Sequence, residues 1–182
     1  MATEKAYLSS FNLIKTEKVK KKSNGKERNL FPFFVTLDFR DAEKNDPIAF
    51  KQDGNRFGTS PRTIKFCSES KYRITLKTTP VVEFHNLHVG GSDLELRCDR
   101  PQSGEYEALW NTVGFEPTKN AERTDLDVIL RGPGGTLKWT LQAKFYAKSN
   151  SHAEWGQKLD FIQLSCSVDP TGNITVTEEQ VR

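Results

Sequence analysis

The stretch Leu137-Lys-Trp-Thr-Leu-Gln-Ala-Lys-Phe-Tyr146 indicates the fold class. Apolar side chains occupy every second position from Leu137 to Phe145, and the positions between them are polar or amphipathic. A period of two is the pattern of a β-strand that buries one face and exposes the other. This is the longest clean alternation in the chain. We therefore predict a long, half-buried strand here, with Lys144 and Tyr146 on its polar face.

Shorter alternating stretches lie on both sides of this strand along the chain. Residues 33–40, 71–77, 106–110 and 125–131 alternate in the same way, and turn-forming residues separate such stretches at intervals of about 8–12 residues. No long apolar repeat of helical period follows residue 30, which disfavours a parallel sheet with crossover helices. The sequence therefore predicts an all-β protein, an antiparallel β-sandwich of about eight to ten short strands.

The positive charge of the chain is concentrated near its start. Residues 1–30 hold eight Lys or Arg and three Glu, a net charge of +5, whereas the rest of the chain carries −2. A length of 182 residues is usual for one domain. We therefore predict a flexible basic arm over residues 1–30 and a single β-sandwich domain over residues 31–178.

Residue types that carry enzymatic chemistry are sparse. His85 and His88 are three positions apart on a predicted strand, which directs them to opposite faces and disfavours a shared metal ion. The sequence contains no glycine-rich phosphate loop and no nucleophile-elbow motif. The three cysteines are widely spaced and odd in number, so we expect reduced thiols. We predict a protein that is not an enzyme and that binds no metal or cofactor.

Two features of the sequence bear on where the protein resides. No apolar run is long enough to span a bilayer, and the first residues lack the apolar core of a secretory signal. These features predict a cytoplasmic protein.

The stretch Phe50–Phe66 is the most specific motif in the chain. Phe50-Lys-Gln-Asp-Gly-Asn-Arg-Phe-Gly-Thr-Ser-Pro-Arg-Thr-Ile-Lys-Phe66 is typical of a strand, a turn at Asp53-Gly54 and a second strand. Its pattern FKxDGxRFGxxxRTIK resembles the signature of the cannabinoid receptor-interacting proteins. The resemblance continues in order over residues 33–168, through Tyr72 and Lys77, Asn86 before Gly90-Gly91, Pro117-Thr118-Lys119, Glu122-Arg123, Trp139, Gln142–Tyr146, Trp155-Gly156 and Cys166.

This resemblance implies a fold, a partner and a role. The implied fold is an immunoglobulin-like antiparallel β-sandwich similar to the Rho GDP-dissociation inhibitors. The implied partner is the cytoplasmic C-terminal tail of a cannabinoid-type G-protein-coupled receptor, whose constitutive signalling the protein reduces, and this places it at the inner face of the plasma membrane. The alternative, implied by the likeness to the Rho inhibitors, is a carrier that holds lipid-modified cargo, such as a prenylated or acylated GTPase tail, between its sheets.

Seven residues are candidates for partner binding, because they match family motifs and have polar or aromatic side chains. Lys144, Tyr146 and the loop residues Lys119 and Arg123 suit an acidic or phosphorylated tail. Trp155 is a candidate exposed aromatic, with a plug at one end of the sandwich as the structural alternative. The complete set is Asn86, Tyr106, Lys119, Arg123, Lys144, Tyr146 and Trp155.

The basic arm lies outside the resemblance, because the family members begin near residue 31. Its apolar Tyr7, Phe11 and Ile14 recur at helical spacing and fit a short amphipathic helix. Its Lys18–Lys22 run fits a solvated extension, docking on a partner or an anionic membrane, or nuclear import. A nucleic-acid function through this run is a further alternative, but the net negative charge of the remaining chain argues against a nucleic-acid groove across the domain.

Overall fold

The described part of the chain contains thirteen β-strands. The computed structural model describes the backbone of residues 19–23 and 26–29 and whole residues from 30 to 182. The strands are β1 (Val19–Ser23), β2 (Lys26–Asp41), β3 (Ala49–Gln52), β4 (Arg62–Cys67), β5 (Lys71–Thr79), β6 (Asn86–Val89), β7 (Ser92–Glu95), β8 (Glu105–Asn111), β9 (Thr124–Gly132), β10 (Gly135–Tyr146), β11 (Gln157–Lys158), β12 (Ile162–Val168) and β13 (Asn173–Val181). Single 3-10 turns lie at Gly54–Arg56 and Ser151–Ala153, and no α-helix occurs in the described residues. The all-β prediction is confirmed. Within the described residues, no helix has the length and apolarity needed to cross a membrane.

The other strands are arranged around β10. It pairs with β9 in antiparallel register from Gly135 to Ala143. Along its opposite edge it pairs in parallel with β13 at Thr136 and Leu137, and again in parallel with β4 from Ala143 to Tyr146. The long strand predicted for this stretch is therefore confirmed. The predicted purely antiparallel arrangement is corrected, because β13 and β4 reach opposite ends of the same edge of β10 and both run in its direction.

The strands form one mixed sheet that curves into a nearly closed barrel. Nine strands follow one another in the order β11-β3-β4-β10-β13-β12-β2-β5-β8, and β6 joins β9 to β7. The branch β9-β6-β7 starts from β10, and its far end meets β8 at a single bridge. There Arg97, just after β7, exchanges two backbone hydrogen bonds of 2.8 Å with Glu107 in β8. The strands thus belong to one sheet that is continuous through β10. The sequence had instead predicted two sheets packed face to face.

Aromatic rings fill the interior where β4 and β10 run side by side. The ring of Phe66 lies 5.0 to 5.8 Å, centroid to centroid, from those of Phe39, Tyr72, Trp110 and Phe145. Phe115, from the loop before β9, stacks on Phe145 at 4.5 Å. Such ring contacts add to the free energy gained by burying apolar area. They fix the relative positions of β4, β5, β8 and β10, and so of the polar residues on the outer face.

The chain leaves the sheet between β5 and β6. Val82 and Phe84 are buried at the alternate spacing of a strand, but they precede β6, which begins at Asn86. The Thr78 hydroxyl accepts a hydrogen bond from the backbone N–H of Val82 at 2.9 Å, and this contact holds the chain in a turn after β5. A side-chain contact of this kind competes with strand pairing.

The first strands fall within the segment predicted as a flexible arm. β1 pairs with the start of β2 in antiparallel register, from Val19 opposite Leu30 to Ser23 opposite Lys26. Residues 1–18 and 24–25 lie outside the described residues, and with them the helix predicted from Tyr7, Phe11 and Ile14. The division into an arm over residues 1–30 and a domain over residues 31–178 stays a prediction.

Candidate functional site

Side chains from distant parts of the chain meet on the outer face of β4 and β10. Thr63 lies in β4, Gln142 in β10, Asp53 at the turn after β3 and Arg123 just before β9. The Thr63 hydroxyl donates to Asp53 Oδ2 at 2.6 Å and accepts from Gln142 Nε2 at 2.9 Å and from Arg123 Nε at 2.7 Å. Arg123 Nη2 forms an ion pair with Asp53 Oδ2 at 2.6 Å. We call these four residues the polar cluster.

The polar cluster is buried and its charges are matched. The side chains of Asp53 and Arg123 are 1% and 7% exposed. Burial alone would raise the pKa of Asp53, but hydrogen bonds from Thr63 and Arg123 and the nearby positive charge outweigh it and hold that pKa below its ordinary value. The guanidinium of Arg123 also lies 4.1 Å from the ring centroid of Phe57. The cluster therefore fastens the β3–β4 hairpin and the loop before β9 to the sheet.

A second buried cation fixes the loop between β10 and β11. Lys65, in β4, is 8% exposed, and its Nζ donates to the carbonyl oxygens of His152 at 2.9 Å and Trp155 at 2.6 Å. Burial is the main cause that lowers the pKa of Lys65, and the charges of Lys51 and Lys144 lower it further. The Trp155 side chain packs at 4.1 Å on the His152 ring and is 60% exposed. The result is an exposed aromatic side chain on an anchored loop.

Lys144 lies on β10 between the polar cluster and this anchored loop. The parallel register places it beside Lys65. Its Nζ lies 5.5 Å from the Tyr146 ring centroid, and the Nζ of Lys65 lies 5.4 Å from the same centroid. Among the ion pairs of the described residues, none involves Lys144. Burial, followed by the charges of Arg123 and Lys51, lowers the pKa of Lys144.

On this outer surface, the charged groups that act most strongly on Lys144 are mainly positive, since Arg123, Lys51 and Arg56 outnumber Asp53. Lys51 Nζ lies 3.4 Å from Asp53 Oδ1, so the same carboxylate faces both Lys51 and Arg123. The charge of Arg56 also acts on Lys144. We call this surface the cationic face, formed by Lys51, Arg56, Lys65, Arg123, Lys144 and Tyr146 around Asp53. A surplus of cations around one carboxylate attracts a further anion, and a carboxylate or phosphate is the anion that such groups bind in charge-assisted hydrogen bonds.

Four of the predicted site residues belong to this region. Lys144, Tyr146 and Arg123 form part of the cationic face, and Trp155 is joined to it through Lys65. Arg123, however, is already engaged by Asp53 and Thr63, which makes it a positioning residue here. Lys119 is exposed in the same loop, where its carbonyl oxygen accepts from Glu122 N–H at 3.2 Å.

Asn86 and Tyr106 lie on strands away from the cationic face. Asn86, at the start of β6, donates from Nδ2 to the Leu94 carbonyl oxygen at 3.3 Å. Tyr106, in β8, is 7% exposed, and its hydroxyl donates to the Val82 carbonyl oxygen at 3.1 Å and accepts from Phe84 N–H at 3.4 Å. The structure does not bring these two residues together with Lys144. Their role in partner binding stays a prediction.

The sequence did not single out the groups that hold the cationic face in place. The pattern of residues 50–66 identified Asp53 as a turn residue and placed Thr63 and Lys65 on the second strand, without a further role. Their contacts with Gln142 and Trp155 depend on the parallel pairing of β4 with β10, which no local pattern reveals. In the described part of the chain, no group of His, Cys, Asp or Glu is arranged to hold a metal ion.

An all-β architecture with a cationic outer face defines a β-domain suited to binding an anionic partner. The family model of CB1 cannabinoid receptor-interacting protein 1 matches residues 31–181, and the chain belongs to that family. The rat CB1 cannabinoid receptor-interacting protein 1 (Rattus norvegicus) is 31% identical over 147 residues, which cover 77% of this chain and 89% of the rat protein. The human protein is 29% identical over the same shares. The family resemblance found in the sequence is confirmed.

Proposed function

We propose that this protein is a non-enzymatic adaptor of the cytoplasm, recruited to the inner face of the plasma membrane. There it binds the cytoplasmic C-terminal tail of a cannabinoid-type G-protein-coupled receptor and reduces the receptor's constitutive signalling. Family membership supports the proposal, because the relatives are named for interaction with the CB1 cannabinoid receptor. We also propose that the curved sheet is related to the sandwich of the Rho GDP-dissociation inhibitors.

The observation that carries the proposal is the unmatched positive charge at Lys144. Lys144 is half-buried beside Lys65, Arg123 and Lys51, and none of the ion pairs among the described residues includes it. A glutamate, aspartate or phosphorylated side chain of a receptor tail would form an ion pair with Lys144 and lessen the repulsion between these cations. Breaking such a partly buried contact costs about 2 kcal/mol or more, because the remaining charge is left without a partner.

Trp155 supplies a second contact of different chemistry. An exposed tryptophan held on a fixed loop loses little conformational freedom on binding, which is the property of residues that contribute most to protein interfaces. Lys65 anchors the backbone of Trp155 and pairs with Lys144 across the two strands, so the loop that carries the indole is held close to Lys144. We propose that the bound tail offers an acidic or phosphorylated residue to Lys144 and an apolar residue to Trp155.

The test is a calorimetric titration of the full chain with a synthetic receptor-tail peptide, in phosphorylated and unphosphorylated forms. We expect Lys144→Glu to weaken binding by about thirtyfold or more, with a larger loss for the phosphorylated peptide. The matched control is Lys138→Glu, because Lys138 is an exposed lysine on the same face of β10. Equal affinities for the wild type, Lys144→Glu and Lys138→Glu would show that the cationic face does not bind the receptor tail.

The lipid-carrier alternative makes a different demand on the structure. It requires room for an acyl or prenyl chain in the interior, where the rings of Phe66, Phe145 and Trp110 contact one another at 5.0 to 6.4 Å. Repeating the titration with a lipidated tail peptide separates the two functions. Equal affinity for the lipidated and plain peptides supports the surface site, whereas binding of the lipidated form alone would support the carrier.

A further inference from the structure

β1 and the start of β2 form a two-stranded basic ribbon. This ribbon lies outside the part of the chain that the family model matches. β1 and the first residues of β2 pair over Val19–Ser23 and 26–30, whereas the family match starts at residue 31. We call these paired residues the ribbon. A property of the ribbon therefore does not follow from family membership, and it is independent of the receptor-tail site.

The ribbon concentrates positive charge. It contains one acidic residue, Glu27, and its basic residues are Lys20, Lys21, Lys22, Lys26 and Arg28. The register sets Lys21 directly opposite Arg28. A segment that concentrates basic residues in this way attracts an anionic partner.

Apolar residues continue from the ribbon along one face of β2. Alternate residues of a strand share a face, which places Leu30, Pro32 and Phe34 in line with Arg28. Phe34 is 45% exposed, and its partners on the two neighbouring strands are the small polar residues Ser165 and Thr79. Pro32 is exposed as well. Phe34, Pro32 and the half-buried Leu30 therefore extend the basic ribbon with an apolar patch on one face of β2.

We propose that the ribbon, together with Pro32 and Phe34, docks on an anionic lipid surface. Basic residues are attracted to acidic headgroups, and apolar side chains beside them enter the boundary between the headgroups and the acyl chains. A nucleic acid suits this surface less well. The exposed side chain of Phe34 gains apolar contact with a bilayer, and a phosphate backbone does not offer that contact.

The experiment is co-sedimentation of the full chain with phosphatidylcholine vesicles that contain or lack phosphatidylserine, at low and high salt. We expect binding to the phosphatidylserine vesicles that falls as salt rises. Each lysine or arginine near an anionic surface contributes about fivefold in binding. The double variant Lys21→Glu, Arg28→Glu should therefore lose binding by well over tenfold, and Phe34→Ser should weaken it severalfold.

Two exposed positions elsewhere provide matched controls. Leu109→Ser removes an apolar side chain that is 55% exposed on β8, and Lys138→Glu reverses an exposed charge on β10. Both variants should bind vesicles as the wild type does, and thermal unfolding of every variant checks that it is folded.

Two outcomes would overturn the proposal. The first is failure of the wild-type chain to bind phosphatidylserine vesicles. The second is a pair of results: Phe34→Ser binds the vesicles as tightly as the wild type, and the wild type binds a DNA duplex with the same affinity and salt dependence as the vesicles. This pair would identify the ribbon as a general polyanion site. Because the assay contains no receptor peptide, its result is independent of the receptor-tail proposal.

Discussion

Asp53 and Arg123 lie 70 positions apart in the sequence, and their side chains form a buried ion pair of 2.6 Å on the outer face of the sheet. Thr63 bridges the pair, because its hydroxyl donates to Asp53 and accepts from Arg123. The ion pair connects the hairpin that carries the family motif to the loop that precedes β9. It thereby holds both segments beside Lys144.

Removing Arg123 should destabilise the fold strongly. Arg123→Ala removes the buried cation of the Asp53 carboxylate and leaves only the more exposed Lys51 beside it, at 3.4 Å. Losing one partner of a buried ion pair typically costs up to about 3–5 kcal/mol in free energy of unfolding, and Lys51 offsets part of that cost. Urea denaturation measures the loss. The control is Lys119→Ala in the same loop, where an exposed side chain should change stability by less than about 0.5 kcal/mol. Equal stabilities of the two variants would contradict a stabilising role for the ion pair.

The buried carboxylate of Asp53 should make the stability of the fold depend on pH. The folded-state pKa of Asp53 lies below its ordinary value of 3.8, so the ionised form stabilises the fold above that pH. This contribution is lost as the pH falls from 3.8 towards the lower folded-state pKa. Asp53→Asn should therefore be less stable than the wild type at neutral pH, with a gap that narrows in acid. Denaturation curves at several pH values test this, and a constant gap would argue against the ionised form as its source.

Lys65 should control the order of the loop that carries Trp155. Lys65→Met keeps much of the apolar stem but removes the two hydrogen bonds to the carbonyl oxygens of His152 and Trp155. We expect faster amide hydrogen exchange over residues 147–156, while the strands keep their protection. Lys144→Met, on the neighbouring strand, is the matched control, because Lys144 lies beside Lys65 but is not the residue that donates to the carbonyl oxygens of His152 and Trp155. Unchanged exchange in Lys65→Met would show that other contacts fix the loop.

Gly135 should not tolerate a side chain at the start of β10. Its φ is +122°, and a Cβ there would lie 2.4 Å from the carbonyl oxygen of Gly172. Gly135→Ala forces β10 away from the turn before β13, so we expect a loss of several kcal/mol, on the order of 3, in the free energy of unfolding. Gly58→Ala is the control, because a Cβ at Gly58 would have no atom within 4 Å and the φ of Gly58 is not positive. Similar melting temperatures for the two variants would contradict this account.

Tyr106 should contribute to stability through its hydroxyl group. Tyr106→Phe leaves the Val82 carbonyl oxygen and the Phe84 N–H without this buried partner, at a cost of about 1–3 kcal/mol in free energy of unfolding. Thermal unfolding measures the cost, and the peptide titration shows whether affinity changes with it. A loss of affinity at full stability would instead support the partner-binding role predicted from the sequence.

Local patterns determined much of the fold and part of the site. The alternation from Leu137 to Phe145 correctly predicted β10 and its buried face, because burial on one side of a strand depends on the period of the side chains. The sequence also predicted the β3–β4 hairpin correctly, since Asp53-Gly54 has the residues of a tight turn. Lys144 and Tyr146 were identified as polar positions on the correct face of β10. Val82 and Phe84 have the alternate spacing of a strand but lie outside one, because a hydrogen bond from Val82 N–H to the Thr78 hydroxyl, which no periodicity reveals, turns the chain there.

The sequence by itself thus determined the all-β class, the family and the outward face of β10. Only the tertiary structure decided that β4 and β13 pair with β10 in parallel, and that Asp53, Thr63 and Arg123 meet on that face. The physical reason is the range of the interactions. Alternation and turn chemistry act between neighbours in the chain, whereas the pairing of distant strands and the contacts of a buried ion pair depend on how the whole sheet closes.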